Sequence, residues 1–318
     1  MAPNHPAPNR DPAAARRAAL TLVVSSTLFA IMAAGTKLAT RRLPGGEVAL
    51  FRFAIGIVVT GIFVWAGRAQ IRPSRWGWLV ARGLFGGIAV VTYFLSIQAV
   101  PVGVATLLNQ TQPIYTMLFS WMLLGERPGR AAWGALVLAL AGVTVIVFMG
   151  NPGAGQNAGF TLRGSQGEFL GVFSALASGV AVTSVRAARR DRGDGTPFET
   201  AWSVFFSFSL IGALVSLPTV FGPFGRFVAP TPGEWALLAG VGLVSTAAQL
   251  IMSASFRHLT GAQGGIIAQL TVPITVALGF LLLDETVTGG FLLGAALTLA
   301  GVLVAILKAA PRGIYSSP

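Results

Sequence analysis

Long apolar blocks alternate along this chain with short stretches of Gly, Pro and basic residues. A helix that crosses a bilayer takes about 20 mostly apolar residues, and ten blocks near that size occur. They predict helices at about 18–39, 48–65, 76–100, 102–124, 131–149, 169–185, 198–218, 235–256, 262–283 and 289–307. The first block follows Arg16 and Arg17, as the core of a secretory leader would. Such a core runs about 7–15 residues, and this block is longer, so it reads as a retained span. Residues 1–17 are a Pro- and Asn-bearing tail of disordered composition, 150–167 a Gly- and Asn-rich linker, and 309–318 a second tail. The chain thus divides into one five-span repeat at 18–149 and another at 168–308.

Polar positions inside the blocks repeat as well. Asn109-Gln110-Thr111-Gln112 stands directly before Pro113, and an apolar run then leads to Leu124-Gly125-Glu126. Near the other end, Gln269-Leu270-Thr271-Val272-Pro273 precedes an apolar run and Leu283-Asp284-Glu285. Asn109 and Pro113 map onto Gln269 and Pro273 at an offset of 160, and Glu126 onto Glu285 at 159. Helices kinked at Pro113 and Pro273, with amides ahead of the proline and an acidic close, are therefore predicted twice. On a helical projection Thr106, Asn109, Gln112, Thr116 and Ser120 share an arc of roughly 120°. The third block gathers Arg82, Gly86, Ala89, Tyr93 and Ser96 on one face, and the eighth matches it with Gly242, Thr246, Gln249, Ser253 and Phe256. In lipid, such stripes must face protein or a water-filled cavity.

Five spans per half is an odd number, so the second half must enter the membrane upside down relative to the first. The predicted fold is all-α and integral to the membrane: ten transmembrane helices as two inverted five-helix repeats. With the N-terminus inside, fifteen Lys and Arg fall in inner segments and five in outer ones. Arg52 and Arg82, within spans, complete the 22. This bias predicts both termini in the cytoplasm. Inverted repeats are a recurrent architecture of secondary transporters, with the substrate bound between repeats near the midplane.

Composition removes the main alternatives. Apolar residues make up 54%, charged residues 10%, and the mean hydropathy is +0.73. A soluble domain is about a quarter charged, so membrane lipid is the expected surroundings. The net charge of +12 is accounted for by inner loops, which leaves no case for nucleic acid. Without cysteine, thiol chemistry and disulfides are excluded, and His5 and His258 alone cannot build a histidine metal site. No HExxH, acidic metal cluster or Ser-His arrangement lies in the spans, so neither catalytic residues, metal nor cofactor is expected. A channel would call for charged rings or a filter-like loop, and neither is evident.

The candidate substrate-binding residues are Tyr93, Asn109, Gln112, Tyr115, Thr116, Gln249, Ser253, Gln269 and Thr271. Buried amides cost more than hydroxyls when unpaired, whereas Ser, Thr and Gly at helical spacing also serve as helix-packing contacts. Packing is the expectation for Ser174, Ser178, Ser245 and the Gly134/Gly142 and Gly294/Gly301 pairs. Candidates for coupling or gating are Glu47, Arg52, Glu126 and Glu285. Arg52 reads equally as a snorkelling partner of Glu47 and as a contact for a substrate anion. Glu126 and Glu285 close their spans, where a solvated helix-end carboxylate is the plain expectation. The Gly-bearing fifth and tenth spans could support a homodimer or pack within one chain. Neutral amides and hydroxyls favour a zwitterionic or neutral solute.

Together these motifs resemble the EamA family of the drug/metabolite transporter superfamily. The resemblance rests on Leu50-Phe51-Arg52-Phe53, on Tyr93-Phe94-Leu95-Ser96 with Ala99, on Pro113 with Leu124-Gly125-Glu126-Arg127, and on Pro273 with Leu283-Asp284-Glu285-Thr286. It covers nearly the whole chain after the first tail. The second half departs at Asp284, where the first has Gly125, and lacks an arginine equivalent to Arg52. The resemblance implies a multi-pass carrier of the bacterial inner membrane for small-molecule substrates, commonly an exporter of amino acids and related compounds. An importer of a vitamin, nucleoside or similar solute is the other expectation.

Overall fold

A computed structural model of the chain describes residues 12–99, 108–109, 111–149, 165–190, 196–222, 225–271, 273–275, 277–278 and 289–307. Thr106, Glu285, residues 150–164 of the linker, residues 1–11 and the C-terminal tail lie outside the described residues. Ten helices can be bounded among the described residues. They are α1 (Pro12–Ala39), α2 (Gly45–Trp65), α3 (Trp76–Ala99), α4 (Gln112–Leu124), α5 (Arg130–Met149), α6 (Ser165–Ala188), α7 (Ala201–Phe221), α8 (Pro232–Ser255), α9 (Gly261–Ala268) and α10 (Gly289–Leu307). By length and composition, α1, α2, α3, α6, α7 and α8 each hold a stretch able to cross a membrane.

Local chemistry sets several of these boundaries. Thr231 and Glu234 cap α8 reciprocally: the Glu234 carboxylate accepts the Thr231 N–H at 2.7 Å, and the Thr231 hydroxyl accepts the Glu234 N–H at 3.4 Å. Thr260 and Gln263 do the same for α9. Helix α4 stops at Gly125, whose φ of 68° is open to glycine and costly for other residues. Its N–H reaches the Trp121 carbonyl at 3.0 Å, and the Glu126 N–H reaches that of Ser120 at 3.1 Å. This double closure reverses the chain and turns Glu126 back toward the bundle. Pro113 stands in the first turn of α4, where its missing N–H goes unneeded. In the second half α9 ends at Ala268, Gln269 and Leu270 form a turn, and helix resumes around the buried Pro273.

Helices of the first half pack on helices of the second. The main pairings are α1–α8, α2–α7, α2–α8, α3–α6, α3–α7, α4–α6, α4–α9, α1–α9 and α5–α10. Advancing each helix number by five, and cycling past ten, returns the same set: α3–α6 becomes α8–α1, α3–α7 becomes α8–α2, and α4–α6 becomes α9–α1. Small residues permit the closest approaches. A Cβ on Gly142 would strike Thr298 and the Gly294 carbonyl of α10, and one on Gly301 would lie 2.7 Å from the Ala135 carbonyl of α5. The expected packing role of these glycines is thus met within one chain, while Gly134 faces open space.

Contacts also fix which helix termini share an end. Thr21 near the start of α1 meets Ser255 of α8 at 3.0 Å, and Arg186 near the end of α6 donates to the Phe256 carbonyl at 2.9 Å. Helix α1 therefore begins at the end of the bundle where α6 and α8 finish. At the opposite end Arg42, just after α1, meets Glu234 at the start of α8. Between the ends, Val58, Ile62, Leu84, Leu214, Leu243 and Leu303 point outward, and exposed Trp65, Trp76 and Trp235 stand at helix termini. An apolar girdle with tryptophans at its edges suits a bilayer.

Candidate functional site

Helices α2 and α3 of the first half meet α7 and α8 of the second around the ring of Phe208. That ring is buried, and Phe53 stands edge-on to it at 5.0 Å. Two guanidiniums flank it: Arg82 with its Cζ 4.0 Å from the ring centroid, and Arg52 at 5.8 Å. Their separation is no more than the sum of those distances, so the like charges repel. Arg82 donates from Nη2 to the Gln249 Oε1 at 2.8 Å, while its buried Nε has no partner among the described residues. Arg52 is 7% exposed and Arg82 4%. Neither is paired with a carboxylate among the described residues. Burying such a charge without compensation costs several kcal/mol.

The expected partnership of Arg52 with Glu47 is not present. Glu47 is itself fully buried, but its Oε2 accepts the Val228 N–H at 2.9 Å and its Oε1 has no hydrogen-bond partner among the described residues. Glu47 begins α2, whereas the Arg52 side chain turns to Phe53 and Phe208.

Each end of the bundle carries an ionic contact joining the halves. At one, Arg42 donates from Nε to the Glu234 Oε1 at 2.6 Å and from Nη2 to the Ala229 carbonyl at 2.7 Å. The hydrogen bond to Glu234 raises the Arg42 pKa. At the other, Glu126 is buried, which corrects the expectation of a solvated carboxylate. Its Oε1 accepts from the Arg186 Nε at 2.8 Å and its Oε2 from the Gly261 N–H at 3.3 Å. Arg186 also donates to the Phe256 carbonyl, so one ion pair ties α4, α6, the end of α8 and the start of α9. Beside it Glu199 accepts the Ser74 and Arg75 N–H groups at 2.6 Å each, and Arg189 donates to the Ser253 carbonyl at 3.0 Å. Burial, with Arg257 nearby, lowers the Arg189 pKa to about 10.

The residues expected from sequence are divided between these regions. Gln249 is in the central cluster. Asn109 donates to the Ser174 hydroxyl at 2.8 Å, which in turn donates to the Ala89 carbonyl, tying the start of the fourth block to α3 and α6. Thr116 is fully buried; a Cβ on Gly261 would meet its methyl, and the Thr183 hydroxyl reaches its carbonyl at 3.4 Å. Tyr115 backs onto Gly179 of α6. Thr271 donates to the Ser26 carbonyl at 3.4 Å, Gln269 is fully buried, and Ser253 gives its carbonyl to Arg189. Gln112 and Tyr93 are half-buried, with the Tyr93 ring 5.9 Å from Phe94. Sequence reasoning did not select Arg82 or Phe208. Arg82 was open to the same argument as Arg52, a charge inside an apolar block; nothing marks Phe208 among the 21 phenylalanines.

Comparison with known proteins bears on this arrangement. The model of the EamA-like transporter family matches residues 16–148 and again residues 165–307. The chain is 29% identical over 281 residues to the pseudopaline exporter CntI of Pseudomonas aeruginosa, covering 86% of this chain and 92% of that one. It is 25% identical over 300 residues, 92% of each chain, to a riboflavin transporter of Rhizobium johnstonii. A protein crystal structure shares the fold at a TM-score of 0.74 and 21% identity, covering 94% of this chain and 98% of its own.

Proposed function

The chain belongs to the EamA-like transporter family, and on that premise we propose that it exports a small polar or amphipathic metabolite, an amino acid or related compound, by alternating access. In this reading ten transmembrane helices form two inverted five-helix repeats in a bacterial inner membrane, with both termini cytoplasmic. The observation that carries it is the packing of one half on the other, with polar and charged side chains buried at the seam. The return of the same pairings on a shift of five helices supports a repeat, and the opposite directions of α1 and α6 support its inversion. A cluster drawn from both halves, with ionic contacts at each end, suits a site reached from either side in turn. The pseudopaline exporter's name supports the outward direction.

Import of a vitamin-like solute is the second reading, favoured by the relative named as a riboflavin transporter. A timed comparison of metabolites inside and outside cells with and without the chain separates the two. Solutes that accumulate outside only with the chain are expected. Depletion from the medium would favour import, and no change in any solute would overturn the carrier reading.

A further inference from the structure

Among the described residues the two arginines around Phe208 have no counter-charge. From this we propose that Arg52 and Arg82, with Gln249 beside them, receive the carboxylates of an organic acid that carries two. The inference rests on the transporter reading and names the chemistry of its substrate.

The carboxylates whose side chains are described are engaged elsewhere. Val228 holds Glu47, Arg186 holds Glu126, Ser74 and Arg75 hold Glu199, and Arg42 holds Glu234. The remaining acidic residues, Asp11, Glu168, Asp191, Asp194, Asp284 and Glu285, belong to none of the four helices that build the cluster. The protein thus keeps two positive charges close together, away from water, without supplying an anion of its own among the described residues.

Packing alone accounts poorly for that choice. The Phe208 face attracts a guanidinium but accepts no conventional hydrogen bond in its plane. A guanidinium presents five N–H donors in a rigid fork matched to a carboxylate. Gln249 engages one group of Arg82 and so orients the fork. Among the described residues the buried Nε of Arg82 has no hydrogen-bond partner, and the Arg52 guanidinium lies against the rings of Phe53 and Phe208. A solute with two carboxylates would answer both forks and cancel the repulsion between them.

The placement fits a transported solute. At 1.5 Å per residue, Arg52 lies about 10 Å along α2 from the Glu234 end, and Arg82 about 9 Å along α3 from the Arg186 end. Their long side chains converge between these depths on a phenylalanine of the other half. The pair also repels cations, and it moves the expected substrate from a neutral or zwitterionic solute to one with net negative charge.

Purified full-length protein in lipid nanodiscs can be titrated with straight-chain dicarboxylates from succinate to suberate, with butyrate, with glutaramide and with inorganic phosphate. At least one dicarboxylate should bind, butyrate more weakly, and glutaramide not at all. Arg52→Gln and Arg82→Gln should each weaken dicarboxylate binding about tenfold, as expected for a lost charge-assisted hydrogen bond. The Tm of unliganded Gln variants should stay or rise, because an uncompensated charge is removed; a structural arginine would lower it. Should a Gln variant fail to fold, Arg52→Lys and Arg82→Lys keep the charge and should still weaken binding by losing the fork.

Absence of dicarboxylate binding, equal binding of glutaramide or phosphate, or undiminished binding in the variants would overturn the proposal. So would a transported solute without an acidic group, which would leave the carrier reading standing.

Discussion

Glu126 shows how one residue's setting decides its role. Its carboxylate is buried against Arg186 and the first N–H of α9, so removing its charge strands a buried guanidinium. Glu126→Gln should therefore destabilise the protein by about 3–5 kcal/mol, the range for breaking one side of a buried pair. Adding Arg186→Gln should recover part of that loss, because the orphan charge goes with it. Thermal unfolding of the two variants in detergent checks this; equal stability of Glu126→Gln and the parent would mean that the pair contributes nothing. The acidic close at Leu124-Gly125-Glu126 was legible in the sequence, and the structure adds that Gly125 in the left-handed region ends the helix there. The burial of Glu126 was not, because its partner lies 60 residues away in another apolar block. The same limit hid the central cluster: each arginine is visible alone, but their convergence on Phe208 exists only after the halves pack.

At the scale of elements, apolar block length carried most of the information. It located the six helices that are long and apolar enough to cross a membrane, because a bilayer span has a fixed length and a uniform apolar character. Block length alone did not reveal where the fourth and ninth blocks break, but the turns at Thr111 and at Gln269 and Leu270 stand just before Pro113 and Pro273, where kinks were expected. Glycine spacing was similarly ambiguous. Gly134 and Gly142 look equivalent in sequence, yet only Gly142 meets a neighbouring backbone, that of α10. Gly142→Ala should cost about 1–3 kcal/mol through overpacking against atoms that cannot move aside. Gly134→Ala meets open space and should stabilise α5 by up to about 1 kcal/mol through helix propensity. Thermal unfolding of both variants compares them directly, and similar shifts would contradict the close α5–α10 seam.

For the whole molecule, the contrast between its two ends bears on how the halves move. The Arg42–Glu234 pair is partly solvated, with side chains 47% and 19% exposed, and solvent screening leaves such pairs a small contribution. The Glu126–Arg186 pair is buried and also engages the Phe256 carbonyl and the Gly261 N–H, so parting it costs more. From this conformation the halves should therefore separate first at the Glu234 end, the outer face in the proposed orientation. The absence of cysteine makes that motion directly testable. Arg42→Cys combined with Glu234→Cys can be bridged by a short thiol-reactive linker that contains a cleavable disulfide. Transport of the solute found in the metabolite comparison should stop on bridging and return when the linker is reduced. Each single substitution, treated alike, should keep its transport, which separates the bridge from simple modification. Undiminished flux through the bridged protein would mean that the two halves need not part at this end, and alternating access around Phe208 would have to be abandoned.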